Sequence, residues 1–512
     1  MTHWIIAPVV LPALVAAIMV IALRQNLALQ RAASIVSILA LNAIAIALLA
    51  SATRTGPEAY FLGNWPAPFG IVLVLDRLSA MMVLLLTGLA LPVALYAMGS
   101  GWDTKGAHFH PLLQFLLMGI AGAFLTGDAF NLFVFFEVLL IASYGLMIHG
   151  GTRDRTRAGI QYVAFNLVGS SLFLIALATV YAVTGTLNMA DLAQKLPTLP
   201  AGDTALIRVA AVMLFMVFAI KGALVPLQFW LPGTYANAPG VVAAMFAVMT
   251  KVGAYATLRF GTLIFPTTLP ATGPLIAEML LPAALITLAI GAIGILGATT
   301  LPRLVAMAAI ASMGTVFIAI AAFTPATTSA ALYYILHSTL ATAALFLVAD
   351  LVTRRRTDGT LTAQSPIARS GLIGTLFMAA AIAIAGMPPL SGFIGKLLIL
   401  DAWRDHAATV WTAILVSTFL TILGLSRAGS TLFWKSHAMP GNPPEPKPEQ
   451  KPEPKPEPLA FAAVFALLAA LAALTILAGP VTRWLDATAA SLYDPAPYIA
   501  ATQLYQDRAD AP

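Results

Sequence analysis

A 512-residue chain that is 60% hydrophobic and 9% charged, with mean hydropathy +0.90, is not a soluble globular protein, in which about 25% of residues carry charge. It has no cysteine, which excludes disulfides and thiolate metal or redox sites, and its seven histidines lack zinc-ligand spacing. The net charge of +6 is spread over loops, so it bears on membrane orientation and not on nucleic acid, and nothing resembles a phosphate-binding glycine-rich motif. Without ATP chemistry, energy must come from an ion gradient or a partner.

Apolar runs long enough to span a bilayer number about fourteen. In chain order they cover 4–23, 32–50, 71–98, 111–126, 129–149, 160–184, 206–228, 241–265, 275–299, 303–323, 330–352, 371–400, 409–434 and 459–479. The predicted fold is therefore an all-α polytopic membrane protein, since helices satisfy their own backbone in lipid. The runs at 71–98 and 371–400 exceed one straight span, which a tilt, a break or interfacial ends would absorb. The first run follows MTHW, which carries no positive charge, and reads as a span and not a cleavable signal. Sixteen Lys and Arg fall in one set of alternate loops and eight in the other. Lys221, Lys251 and Lys396, inside the runs, complete the 27. The positive-inside bias places the RDRTR and TRRR loops in the cytoplasm and both termini outside.

The connections divide the chain. Residues 1–110 hold three runs and an outer loop at 51–70 whose Gly, Pro and aromatic content suits a short hairpin. Residues 111–265 and 275–434 each hold five runs, and 435–458 is a cytoplasmic linker rich in Pro, Glu and Lys, extended or disordered in character. Residues 459–512 hold the last run and a polar tail expected on the outer surface. The seventh run has Lys221 followed by Pro226 and Pro232, and the twelfth has GMPPLSG followed by Lys396. Two interrupted helices five spans apart imply an inverted repeat, because an odd number of spans reverses direction. Such breaks in corresponding places mark transport sites near the midplane.

The ionisable groups inside the runs are the candidate site. A lysine at mid-bilayer costs about 2.5–3.5 kcal/mol, and three of them argue for charge movement. Glu137 lies midway along the fifth run and Lys221 in the inner half of the seventh, so the two could pair and switch. The alternative is a permanent bridge that only locks helices together. Lys251, in the middle of the eighth run, has no acidic neighbour in sequence and suits a proton relay. His337, with Ser338, Thr339 and Thr342 to hold water, would continue it toward Lys396. Glu278, near the outer end of the ninth run, would guard an ion inlet. Asp128 reads as a helix N-cap, Asp76 with Arg77 as a surface pair, and Asp350 as a partner of the TRRR arginines.

The stretches KGALVPLQFWLPGTYANAPGVVAAMFAVMTKVGAYATLR, GDAFNLFVFFEVLLIASYGL and AGMPPLSGFIGKLLIL resemble the antiporter-like subunits shared by Mrp-type multisubunit cation/proton antiporters and respiratory complex I. Within that family the wording looks most like the D-type Mrp (Pha/Mnh) subunits. The resemblance covers nearly the whole chain and implies fourteen helices with two inverted five-helix repeats, helices four to eight and nine to thirteen, with helices 7 and 12 broken. It implies Glu137 and Lys221 as the switching pair, Lys251 as central relay and Lys396 as terminal lysine, with His337 between. The PEPKPEQKPEPKPEP stretch departs from the family pattern.

The resemblance implies a non-enzymatic subunit of a Na+ (or K+)/H+ antiporter in the cytoplasmic membrane. Its partners would be other subunits of A, B, C, E, F and G type, with no cofactor and no nucleic acid. The alternatives are a proton-pumping subunit of a complex I or membrane-bound hydrogenase type redox complex, and a passive scaffold.

Overall fold

The computed structural model describes residues 2–436, apart from 66, 201, 203 and 357, together with 457–503. Helices α1 (Ala7–Ile21) and α2 (Leu27–Thr55) are followed by strands β1 (Glu58–Phe61) and β2 (Val72–Leu75). Then come α3 (Arg77–Ser100), α4 (Phe109–Leu125), α5 (Ala129–Met147), α6 (Arg153–Thr184), the short α7 (Met189–Lys195), α8 (Thr204–Gly222), α9 (Trp230–Asn237) and α10 (Gly240–Arg259). The remainder is α11 (Leu275–Gly297), α12 (Leu301–Ile320), α13 (Pro325–Thr353), α14 (Ser370–Ala385), α15 (Ser391–Ala402), α16 (Ala407–Gly429), α17 (Pro458–Ile476), α18 (Ala478–Leu492) and α19 (Ala496–Gln503). Among the described residues eleven helices are long and apolar enough to span. The shorter apolar helices α1, α4 and α14 bring the count to the expected fourteen.

The two overlong runs resolve differently. Residues 71–98 do not form one tilted helix. Their start is β2, paired antiparallel with β1 from Glu58↔Leu75 to Phe61↔Val72. Asp76 then stops the strand and caps α3, accepting from the Ser79 amide at 2.8 Å while the Ser79 hydroxyl accepts from the Asp76 amide at 2.9 Å. Residues 371–400 break into α14 and α15, as the GMPPLSG wording predicts. The seventh run breaks likewise, between α8 and α9. Proline cannot donate a backbone hydrogen bond, so helical pairing lapses at each break.

Helices α10, α12 and α13 form the centre, buried over 100%, 94% and 89% of their apolar windows, whereas α2, α11 and α16 are 33% buried and form the rim. In α10 the residues from Val241 to Arg259 are all buried, and this all-round apolar helix fits only inside a bundle. Helix α8 packs on α6 and α10; α10 packs on α13, and α13 on α12, α14 and α15. Gly253 lets α10 approach α8 closely: a Cβ there would lie 2.6 Å from the Gly222 amide and from the Phe218 carbonyl. The helices bearing Lys221 and Lys251 are thereby held together.

Charge gathers at one end of the bundle. Asp350 accepts from Tyr96 Oη at 2.7 Å and from Trp102 Nε1 at 3.0 and 3.1 Å, while Lys105 sits 3.7 Å and Arg155 5.3 Å from the Trp102 ring. Of the TRRR arginines, Arg354 meets Asp350 at 4.0 Å as expected, and Arg354 and Arg355 also pair, more closely, with Glu457 at 2.9 and 3.0 Å. Glu457 precedes α17, so its carboxylate, shared between two arginines, ties the last span to this end. Of the expected linker, 437–456 lie outside the described residues.

The opposite end carries the hairpin. His3 stacks edge-on to Tyr60 with centroids 5.8 Å apart, and α19 packs on β1. The polar tail is helical over its described part, 504–512 lying outside the described residues. It forms α18 and α19, fixed to α13 by Thr328–Tyr493 at 2.8 Å and Ser329–Asp486 at 2.6 Å.

Candidate functional site

Lys221 sits in the last turn of α8, where the Pro226 break ends the helix. Its side chain is 8% exposed and donates from Nζ to Asn166 Oδ1 on α6 at 3.0 Å. The Phe136 ring of α5 lies 5.5 Å away, close enough for a cation–π contact. One turn further along α6, Ser170 donates to Glu137 Oε1. The expected direct pairing of Glu137 with Lys221 is not made: no ion pair within 4.0 Å joins them, although each lies within electrostatic reach of the other. Asn166 and Ser170, four residues apart on one face of α6, each hydrogen-bond one of the two. Glu137 is half-buried.

Lys251 is 1% exposed on α10 and has neither a salt bridge nor a hydrogen bond among the described residues. This places an ammonium group where only a counter-charge or water can compensate its desolvation.

His337 on α13 is 1% exposed, and its Nδ1 lies 2.9 Å from Ser391 Oγ at the first residue of α15. Its other nitrogen faces the Ala383 carbonyl in the last turn of α14. The imidazole thus bridges the two halves of the broken helix, within electrostatic reach of both Lys396 and Lys251. Ser338 and Thr339 do not offer their hydroxyls to water as expected, because both donate to the Ile335 carbonyl of their own helix, at 3.4 and 2.7 Å. Thr342 alone of the three keeps a buried hydroxyl without a partner.

Lys396 on α15 reaches back across the break. Its Nζ donates to the Ala385 carbonyl, the last of α14, at 2.8 Å and to Thr418 Oγ1 on α16 at 2.7 Å. The end of a helix leaves carbonyls unsatisfied and carries partial negative charge, so it suits an ammonium group. Lys221 and Lys396 each border a cavity of about 10 Å³, the first lined by Asn166, Tyr162 and Thr250, the second by Ser312, Thr315 and Tyr334. That volume is at the threshold for a single water.

The structure thus brings Lys221 near Glu137, and His337 near Lys396 and Lys251. Glu278 stays apart: it is exposed in the first turn of α11 and lines neither lysine cavity. Asp76 is not a surface group. It is 7% exposed and meets Arg259 of α10 at 2.6 Å. Asp128 caps α5 as expected, accepting from the Asn131 amide at 2.7 Å. Sequence reasoning missed Asn166, Ser170, Ser391 and Thr418. The spacing Tyr162, Asn166, Ser170 along an apolar helix was the available signal for two of them.

Two of the three lysines border space for about one water, so the chemistry at those positions suits proton transfer. The description "NADH:quinone oxidoreductase/Mrp antiporter, TM" belongs to a family profile that matches residues 126–424. The chain is 39% identical to the D-type subunit of a probable K(+)/H(+) antiporter of Rhizobium meliloti, over 85% of this chain and 87% of that protein. It is likewise 39% identical to the D-type subunit of a Na(+)/H(+) antiporter of Bacillus subtilis, over 85% and 87%. A chain of the Mrp complex from Dietzia sp. DQ12-45-1b superposes with TM-score 0.88 at 27% identity, covering 98% of this chain and 100% of that one. A chain of respiratory complex I from Thermus thermophilus shares the fold, with TM-score 0.77 at 24% identity, covering 96% and 99%.

Proposed function

The chain belongs to the NADH:quinone oxidoreductase/Mrp antiporter transmembrane family, and we propose that it is the D-type subunit of a multisubunit antiporter. The antiporter would exchange Na+ or K+ for H+ across a bacterial cytoplasmic membrane. Its partners are the other subunits of that complex, and the chain itself is a transporter component and not an enzyme. Both termini face outward in this reading, following the excess of Lys and Arg in alternate loops. Residues 111–265 and 275–434 act as two inverted halves, each with one broken helix and one lysine at its break.

The proton path runs through Glu137, Lys221, Lys251, His337 and Lys396. The observation that carries it is that, among the described residues, no carboxylate contacts the buried Lys221 and Lys251 or the half-buried Lys396. A structural lock would pair them, since an unpaired buried charge is costly. Here Lys221 and Lys396 rest on neutral acceptors that release them readily. Glu137 holds a proton or yields it as Lys221 moves away or returns, with Ser170 and Asn166 each hydrogen-bonding one of the two at rest.

The test is cation-driven dissipation of ΔpH in everted vesicles that contain the complete complex. Glu137→Ala or Lys221→Ala, with assembly verified, should abolish exchange. Normal exchange in either variant would make the buried charges structural and refute the path.

A further inference from the structure

At the hairpin end, away from the lysine cavities, an open cavity of about 290 Å³ is lined by α2, α3, the end of α10 and the C-terminal helices. Its lining includes Thr53, Arg77, Arg259, Thr262, Ser491 and Tyr498. It has room for on the order of ten waters. Two of the polar side chains that line it lack a partner for a buried atom: the Tyr498 hydroxyl and Arg259 Nε, on residues 5% and 3% exposed. Buried polar atoms without a protein partner are ordinarily satisfied by ordered water.

The lining also includes the Asp76–Arg259 pair, 2.6 Å apart. Asp76 is fixed to the start of α3 by its cap and Arg259 belongs to the end of α10, so the pair closes the gap between those helices. Arg259 also lies against two tyrosine rings, 5.6 Å from Tyr255 and 5.1 Å from Tyr498. Four residues before Arg259, Tyr255 donates to the Phe124 carbonyl at the end of α4, at 2.6 Å. Four residues before that is Lys251. The spacing puts Lys251, Tyr255 and Arg259 along one side of α10, over about 12 Å of helix.

We propose that this cavity is the water-filled mouth through which protons pass between the hairpin side of the membrane and Lys251, with the Asp76–Arg259 pair as its closure. The proposal rests on the reading of Lys251 as a proton-relay residue. It adds an opening in the half of the chain that carries Lys221, independent of Lys396. The C-terminal helices become part of the transport machinery, because Tyr498 and Ser491 form the wall without which the mouth would open sideways.

The chain has no cysteine of its own, so an introduced thiol on it reports one position. Thr262→Cys, at a buried residue of the lining, and Ser491→Cys, at an exposed one, are made in the complete complex in right-side-out and in everted vesicles. A permanently charged, membrane-impermeant methanethiosulfonate is the probe. Labelling is read by mass on this chain, and exchange is compared before and after the reagent for each variant and for the unsubstituted complex. We expect both thiols to react in right-side-out vesicles only. Modification at Thr262→Cys should cut cation-driven proton exchange at least fivefold. Failure of both thiols to react from the outer face, reaction from the inner face alone, or unchanged exchange after full modification of Thr262→Cys would overturn the proposal. Lys251→Ala separates the two levels. If it abolishes exchange while the blocked cavity does not, only the mouth is refuted; if it leaves exchange intact, the relay reading itself fails.

Discussion

Asn166 should matter to exchange almost as much as the lysine it holds. Its Oδ1 is the hydrogen-bond acceptor of Lys221, at 3.0 Å, and Asn166 is 2% exposed. A hydrogen bond to a charged group contributes about 1.5–3 kcal/mol. Each ~1.4 kcal/mol is a factor of ten in rate if that charged state limits turnover. Asn166→Ala should therefore slow exchange by about ten- to a hundredfold. The lower end applies if the cavity of about 10 Å³ beside Lys221, enlarged by the truncation, admits a water that takes over as acceptor. Asn166→Asp should also slow exchange, for a different reason: a carboxylate at hydrogen-bond distance would pin the ammonium group. The assay is ΔpH dissipation on addition of Na+ or K+ to everted vesicles, with assembly verified. Exchange by Asn166→Ala within twofold of the parent, while Lys221→Ala is inactive, would refute the claim that Asn166 sets the resting position of the lysine.

The other predictions concern packing and charge. A Cβ on Gly392 would collide with the Ala383 carbonyl and lie 2.8 Å from His337 Nε2. Gly392→Ala should cost about 1–3 kcal/mol and impair exchange, whereas Gly371→Ala, with nothing within 4 Å, should do neither; thermal unfolding of the assembled complex checks both. Asp76→Ala leaves Arg259 buried and unpaired, a loss of about 3–5 kcal/mol, which should lower the melting temperature and be partly restored by adding Arg259→Met. Burial pushes the Asp103 carboxyl up, but hydrogen bonds from His110 and from Arg31, at 3.2 and 2.6 Å, hold it below the usual carboxylate range. A carboxyl so depressed stabilises the fold above its unfolded pKa and loses that contribution as pH falls through its folded value. Arg31→Gln should accordingly move the acid-induced loss of protease protection around Trp102 to higher pH; an unshifted midpoint would contradict the pairing.

Much of this protein is legible one segment at a time. Hydropathy over about 20 residues marks a span, and the fourteen runs fall on described helices, apart from the start of 71–98 in β2 and the breaks within 206–228 and 371–400, because a helix satisfies its own backbone in lipid. Pro226 and GMPPLSG mark the breaks because proline removes a donor wherever it stands. Lys221, Lys251 and Lys396 stand out because a cation in an apolar run is costly in any context. The long-range partners left fainter marks. Asn166 and Ser170 are cheap in a membrane helix, and only the packing of α5, α6 and α8 puts them against an ammonium and a carboxylate. Asp76 and Arg259 look like ends of spans, and their mutual burial follows from α3 and α10 meeting under the C-terminal helices, 183 positions apart in the chain. Composition and period record what each segment costs in lipid; which polar groups face one another depends on how the helices pack, and that is a property of the tertiary structure alone.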